Sequence, residues 1–233
     1  MPVFLRSSTQ GFPPSWAASE DGLLAVGGDL SLERLVTAYG NGIFPWYDKG
    51  TPILWWNPPE RCMLHPTDLH IPKSLRRVVT ARRFSITVDT AFVRVIGSCA
   101  RAPRPGQNGT WLVPEMVSAY TRLHMAGFAH SVEAWQGRSL AGGLYGVALG
   151  GCFFGESMFF AEPDASKVSF IWLMKLLEHW GFSLIDCQQV TGNLLRFGAY
   201  PVPREMFMAA LEDALRIPGR PGKWTMPEDF FPL

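Results

Sequence analysis

Apolar and polar positions change period several times along the chain. Phe84, Ile86 and Val88 alternate with Ser85 and Thr87, and this period of two predicts a strand. Residues 22–29 read as a short strand ending in a glycine turn. Ser31 then caps a helix that carries Leu32, Leu35, Val36 and Tyr39 on one side and ends at Gly40-Asn41-Gly42. Helical periodicity returns from Pro72, a residue suited to a first turn, and again over about 90–101, 114–126, 165–180, 191–197 and 204–216. Strands are predicted at about 129–135, 139–148, 151–159 and 182–188, with Gln136-Gly137-Arg138 as a turn. Consecutive strands through a glycine-rich hairpin, then helix and strand, predict an α/β (α+β) chain: a mixed sheet with flanking helices. Asn57-Pro58-Pro59 breaks the pattern and places a domain boundary near residue 60.

Composition narrows the class. The 233 residues are 47% hydrophobic and 18% charged, enough for one large domain or two smaller ones. The formal net charge of +1 carries no sign of nucleic-acid binding, but its distribution does. Lys73, Arg76, Arg77, Arg82 and Arg83 lie between Asp68 and Asp89 with no acid among them. On the helix from Pro72, Lys73, Arg76 and Arg77 share one face and Leu75, Val78 and Val79 another, so that face is either a solvated surface or a phosphate-binding one. The cysteines 62, 99, 152 and 187 form no C-x-x-C pair and sit in apolar settings. They suit small buried hydrophobes in a reducing compartment better than a metal or disulfide framework. The stretch 139–155 is uncharged but holds six glycines and falls short of the about 20 apolar residues of a bilayer helix. It reads as a buried hairpin, and the protein as soluble and cytoplasmic with no membrane partner.

Candidate chemistry sits in two apolar runs. Glu156 is flanked by Cys152, Phe153, Phe154, Phe159 and Phe160, and Asp186 follows Leu184 and Ile185. A carboxylate in such a setting is costly to ionise without a partner. In an extended strand Asp186 and Gln188 project together, with Cys187 opposite. That pair suits holding an ammonium or handling a proton; the plainer reading is a structural acid satisfied by backbone donors. H-E-x-x-H, the G-x-S-x-G elbow and a Walker loop are all missing, and the five histidines show no ligand spacing. Catalysis here needs neither a metal nor an obvious covalent intermediate, and no cofactor is expected.

Together GLLAVGGDLS (22–31), AYGNGIFPWY (38–47), PILWWNPPER (52–61), GTWLVPEMVSAYTRLH (109–124), GGLYGVALGGCFFGESMF (142–159), ASK (165–167) and LIDCQ (184–188) form a specific set. With them the chain resembles the bacterial leucyl/phenylalanyl-tRNA–protein transferases. The resemblance implies a small N-terminal domain (1–60) and an acetyltransferase-like catalytic domain (61–233). It implies transfer of Leu or Phe from aminoacyl-tRNA to proteins beginning with Arg or Lys, which marks them for degradation by the N-end rule. It implies an aminoacyl pocket of Phe153, Met158, Ile185, Leu144 and Tyr120, with Trp46 and Trp111 near the terminal adenosine. Asp186, Gln188 and Glu156 match the polar site residues. Leu173 and Leu177 stand where some members carry aromatics, and Asn193 where many carry His.

The residues suit that chemistry. An aminoacyl ester is already activated, and an α-amine has a reference pKa of about 7.7–8.0, so no covalent relay is needed. The protein must orient amine and ester, pass one proton and steady an oxyanion. Asp186 would hold the ammonium and Gln188 would position it. Glu156 would either pair with the acceptor's basic side chain or orient Gln188. The Lys73–Arg83 cluster would supply phosphate contacts. Two other readings compete. An acyl-CoA N-acetyltransferase would want a glycine-rich pyrophosphate loop after the Asp186 strand, where 189–193 hold one glycine. A non-catalytic tRNA-binding module would leave Asp186 and Glu156 idle.

Overall fold

The computed structural model describes residues 2–5, 11–103 and 112–233, and their strands fall into two sheets. The first holds β1 (Val3–Leu5), β2 (Leu23–Gly27), β3 (Phe44–Pro45) and β4 (Leu54–Trp56) in the order β1-β2-β4-β3. Helix α1 (Leu32–Gly40) starts where expected, with the Ser31 hydroxyl accepting from the Arg34 N–H.

The second sheet begins with β5 (Glu60–Leu64), just after the Pro58-Pro59 break. Its other strands are β6 (Ser85–Val88), β7 (Ala129–Gln136), β8 (Ser139–Leu149), β9 (Cys152–Phe160), β10 (Leu184–Gln188) and β11 (Tyr200–Pro203). Their order is β11-β5-β10-β9-β8-β7-β6, and β10 runs parallel to β9 but antiparallel to β5. The chain is thus α/β with mixed sheets and flanking helices. The expected hairpin is β8–β9. Strands β1, β3, β4, β5 and β11 escaped the periodicity, being short or, in β3 and β11, interrupted by proline.

The second sheet carries a core on each face. On one lie α1, α3 (Phe92–Arg101), α4 (Pro114–Met125) and α7 (Arg204–Arg216), whose buried residues form one cluster together with the small sheet. On the other lie α2 (Lys73–Thr80) and α5 (Ala165–His179), followed by α6 (Gly192–Arg196). β9 alternates between the two: Phe154 faces the first cluster and Phe153 the second.

Both central strands are irregular at the same level. The pairing of β8 with β9 jumps from Gly146↔Gly155 to Tyr145↔Ser157, which leaves Glu156 as an extra residue. The pairing of β10 with β5 jumps from Asp186↔Met63 to Gln188↔Cys62, which leaves Cys187 extra. The register of β9 with β10 runs only to Phe154↔Asp186. Beyond that rung the two strands part, and a cavity opens between their ends. Gly146 permits the Phe153 ring to lie against β8, since a Cβ there would stand 2.5 Å from that ring. Among the described residues no helix is long and apolar enough to cross a membrane.

Candidate active site

A cavity of about 380 Å³ lies at the parting of β9 and β10. Leu144, Phe153, Met158, Phe170, Leu173 and Ile185 supply its apolar lining. Glu156, Ser157, Cys187, Gln188 and Gln189 line its polar side, and Phe44, Pro45 and Trp46 close it from the small sheet. Phe153 and Ile185 are fully enclosed, whereas Met158 is 37% exposed at the rim. Four of the five predicted pocket residues therefore meet in one cavity. Trp46 joins them, its position fixed by the Trp56 indole, which donates to the Trp46 carbonyl at 2.7 Å. Trp111 lies outside the described residues.

The polar centre is a hydrogen-bonded pair. Gln188 Nε2 donates to Glu156 Oε1 at 2.8 Å across the gap. The Tyr39 hydroxyl donates to the same Glu156 oxygen at 2.7 Å and also bonds the Tyr120 hydroxyl. Burial pushes the Glu156 carboxyl up from 4.5 to about 7, against the hydrogen bonds from Tyr39, Tyr120 and Gln188 that pull it down. Burial and the Glu156 charge hold both tyrosines well above the usual phenol range. They act as neutral donors behind the carboxylate. Of the two contacts expected of Glu156, the one present is with Gln188.

Asp186 departs from expectation. Alternation places it beside Gln188, but the bulge breaks alternation. Gln188 has φ 59°, in the left-handed region that disfavours a side chain by about 1–2 kcal/mol. Its side chain turns to Glu156, while Asp186 points to the opposite face and does not line the cavity. There Arg61 grips Asp186 with Nε–Oδ1 at 2.8 Å and Nη2–Oδ2 at 2.6 Å, both side chains being fully enclosed. Asp186 also accepts the Gln188 backbone N–H at 2.8 Å. Its carboxylate is thus committed to Arg61 and to the bulge. Tyr120 likewise stands behind Glu156 rather than in the pocket wall.

Arg61 and Tyr39 were not singled out by the sequence. Arg61 ends the PILWWNPPER segment, and an Arg among Pro, Cys and Met was the available signal. The Arg61 guanidinium also lies over the Phe44 and Phe207 rings at 4.7 and 4.5 Å and donates to the Gly42 carbonyl at 2.8 Å. Tyr39 reads as an ordinary helix core residue until its hydroxyl is located. Of the three positions at which the resemblance implies a departure, Leu173 and Asn193 line the cavity; Leu177 is core.

The basic face of α2 is present. Lys73, Arg76 and Arg77 are exposed opposite buried Leu75 and Val79. Two members of the cluster have partners the sequence window did not contain. Arg83 lies 3.6 Å from Glu162, and the Arg82 guanidinium covers the Phe231 ring at 5.2 Å. Among the described residues no group of three or more His, Cys, Asp or Glu side chains converges as a metal set would.

The family described as leucyl/phenylalanyl-tRNA protein transferase matches residues 63–212, and its N-terminal domain matches residues 28–59. A leucyl/phenylalanyl-tRNA–protein transferase of Oleidesulfovibrio alaskensis is 58% identical over 100% of this chain and 96% of its own. One from Nitratidesulfovibrio vulgaris is 61% identical over 95% of this chain and 94% of its own. Among solved structures, L-PGS from Bacillus licheniformis aligns at TM-score 0.39 and 11% identity, over 78% of this chain and 62% of that one. The chain belongs to the leucyl/phenylalanyl-tRNA–protein transferase family, a family of enzymes.

Proposed function

We propose that the enzyme moves Leu or Phe, and more weakly Met, from aminoacyl-tRNA to the α-amine of proteins with N-terminal Arg or Lys. The product enters N-end rule degradation in the cytoplasm. The observation that carries this reading is the juxtaposition of an apolar cavity with the Gln188–Glu156 pair at its edge. The cavity takes the aminoacyl side chain, and burial energy favours Leu and Phe over small or charged residues. Discrimination against a chain one methylene shorter is worth only about 1–3 kcal/mol, so leakage to a flexible apolar side chain such as Met is expected. Trp46, and Trp111 with it, stack on the terminal adenosine.

An ionised Glu156 can only accept, so it fixes the amide of Gln188 with its NH2 inward. The Gln188 carbonyl oxygen is then the end that accepts an N–H from the incoming amine. The amine nitrogen attacks the ester carbonyl, the bond to the ribose oxygen breaks, and the amine proton leaves with that oxygen. Gln188 is a poor base, so its part is orientation. Asp186 acts through Gln188: with Arg61 it holds the bulge that aims the side chain. Phosphates of the tRNA meet Lys73, Arg76 and Arg77, with Arg82 and Arg83 beside them.

Incubation with leucyl-tRNA and an Arg-initiated peptide tests the reading. The expected product is the peptide extended by Leu at its N-terminus. Acetylation of the same peptide from acetyl-CoA would favour the acetyltransferase reading, and tRNA binding without product would favour the non-catalytic one.

A further inference from the structure

All four cysteines are free thiols, but two of them are neighbours. Cys62 on β5 pairs across the strands with Gln188, and Cys187 is the extra residue of the bulge. In such a bulge two residues oppose one, so Cys187 and Gln188 both face Cys62. Opposed residues of antiparallel strands hold their Cα atoms about 4.5–5.5 Å apart. That lies inside the about 4.4–6.8 Å a disulfide spans. Both side chains pack in the cluster on the α5 face, near enough for each thiol to shift the other's titration. Cys187 is partly exposed in the cavity wall, whereas Cys62 is fully enclosed behind it. A small reagent entering the cavity therefore meets Cys187 first, with Cys62 poised as its partner.

We propose that Cys62 and Cys187 form an oxidisable dithiol, closed to a disulfide by hydroperoxides, which distorts the β10 bulge and reversibly shuts off transfer. The Cys187 sulfur, as thiolate, attacks the terminal oxygen of the hydroperoxide and the O–O bond breaks. Cys187 becomes a sulfenic acid, and the departing alkoxide takes the thiol proton and leaves as an alcohol. The Cys62 sulfur then attacks the Cys187 sulfur. The S–O bond breaks, and hydroxide leaves with the Cys62 proton as water. Two thiols have lost two electrons and two protons, and the hydroperoxide has been reduced to alcohol and water. A dithiol reductant reverses the bond by exchange.

The neighbouring Cys187 thiol pulls the Cys62 thiol down, which suits it to the second attack. The Cys62 thiol, together with burial, pushes the Cys187 thiol up. Little thiolate is present there, so the first step is slow and the device answers to sustained peroxide. The consequence reaches the site through one residue. Gln188 follows Cys187 and already holds φ 59°, with its N–H tied to Asp186. Drawing the Cys187 sulfur to about 2.05 Å from its partner moves the base on which Gln188 stands.

The activity arm of the test rests on the transfer reading; the cross-link arm does not. The full chain is treated with tert-butyl hydroperoxide, quenched with an alkylating agent and digested. A peptide joining Cys62 to Cys187 is expected, with intact protein two hydrogens lighter. Transfer should fall on the order of a hundredfold, as for misplacing a positioning group by about 1 Å, and return with dithiothreitol. Cys62→Ser, or Cys62→Ala if the buried hydroxyl harms folding, should keep basal transfer. Under peroxide either variant should give no cross-link and should leave a sulfenic acid on Cys187 that dimedone traps. Absence of the Cys62–Cys187 peptide from the oxidised natural chain overturns the proposal, and so does a cross-linked protein with unchanged transfer. A reduced protein with no transfer at all sinks the functional reading instead, while the cross-link still decides the dithiol.

Discussion

Gln188 hydrogen-bonds Glu156 at 2.8 Å, although the strands that carry them have already parted. The bond needs an ionised Glu156 to keep the amide nitrogen inward. Its carboxyl titrates near 7 instead of 4.5. Below that, a protonated Glu156 offers its own hydrogen to the Gln188 carbonyl and takes it from the acceptor amine. Transfer at saturating aminoacyl-tRNA should therefore rise through about pH 7. A second rise should reflect the acceptor amine, at about 7.7–8.0. Glu156→Gln should lose the lower limb and keep the upper.

The same residue leaves a mark on stability. A carboxyl raised in the folded state makes folding bind a proton, so its contribution is full below pH 4.5 and gone above about 7. Chemical denaturation of Glu156→Gln against the natural chain should show a difference that changes with pH within that window and is flat outside it. A flat difference throughout would mean that Glu156 titrates at its ordinary value.

Arg61 and Asp186 set the next expectation. Removing one partner of a buried pair leaves an uncompensated charge and costs about 3–5 kcal/mol, whereas replacing both with apolar residues can be neutral. Arg61→Met should be strongly destabilised, and Arg61→Met with Asp186→Leu should recover much of that loss. Transfer should not recover in the double variant, because the Gln188 N–H has no acceptor once Asp186 is gone. Asp186→Asn should lower kcat with little change in aminoacyl-tRNA affinity. Full activity in the double variant would free Asp186 and Arg61 of any positioning role.

How far the sequence announced this arrangement depends on range. Apolar periodicity located most helices and the strands of the β8–β9 hairpin, because 3.6- and two-residue repeats are local. It also singled out Glu156, Asp186 and Gln188, because an acid in an apolar run is costly wherever it lies. The strand bulges escaped it. Whether Cys187 is extra depends on the register against β5, set by residues more than a hundred positions away. One unpaired residue reversed the predicted relation between Asp186 and Gln188. Arg61 and Tyr39 were hidden for the same reason: each has its meaning only through a partner from another element.

The apolar wall should govern donor choice. Phe153 is fully enclosed and packs over Gly146, so Phe153→Leu adds space with less damage than the about 3–5 kcal/mol of a Phe-to-Ala truncation. Leucyl-tRNA, whose side chain fills less of the cavity, should lose more than phenylalanyl-tRNA. Met158→Ala, at the half-exposed rim, should weaken both donors with little change in melting temperature. Unchanged rates for both donors in both variants would make these residues core alone.

Lys73, Arg76 and Arg77 stand exposed on α2, opposite Leu75 and Val79, and none of them has an acidic partner among the described residues. Arg83, by contrast, is already near Glu162. The free trio is the part of the cluster available to phosphates. Replacing all three with Ala should raise the Kd for aminoacyl-tRNA and flatten its salt dependence. The log–log slope should fall by up to about 0.9 for each duplex phosphate no longer neutralised, and by about 0.7 over single strands. Transfer from an aminoacyl-adenosine, which lacks the tRNA body, should hardly change. That contrast separates docking from folding, since a collapsed helix would harm both donors alike. Equal impairment with the small donor would assign α2 to support of the cavity and remove it from the tRNA path.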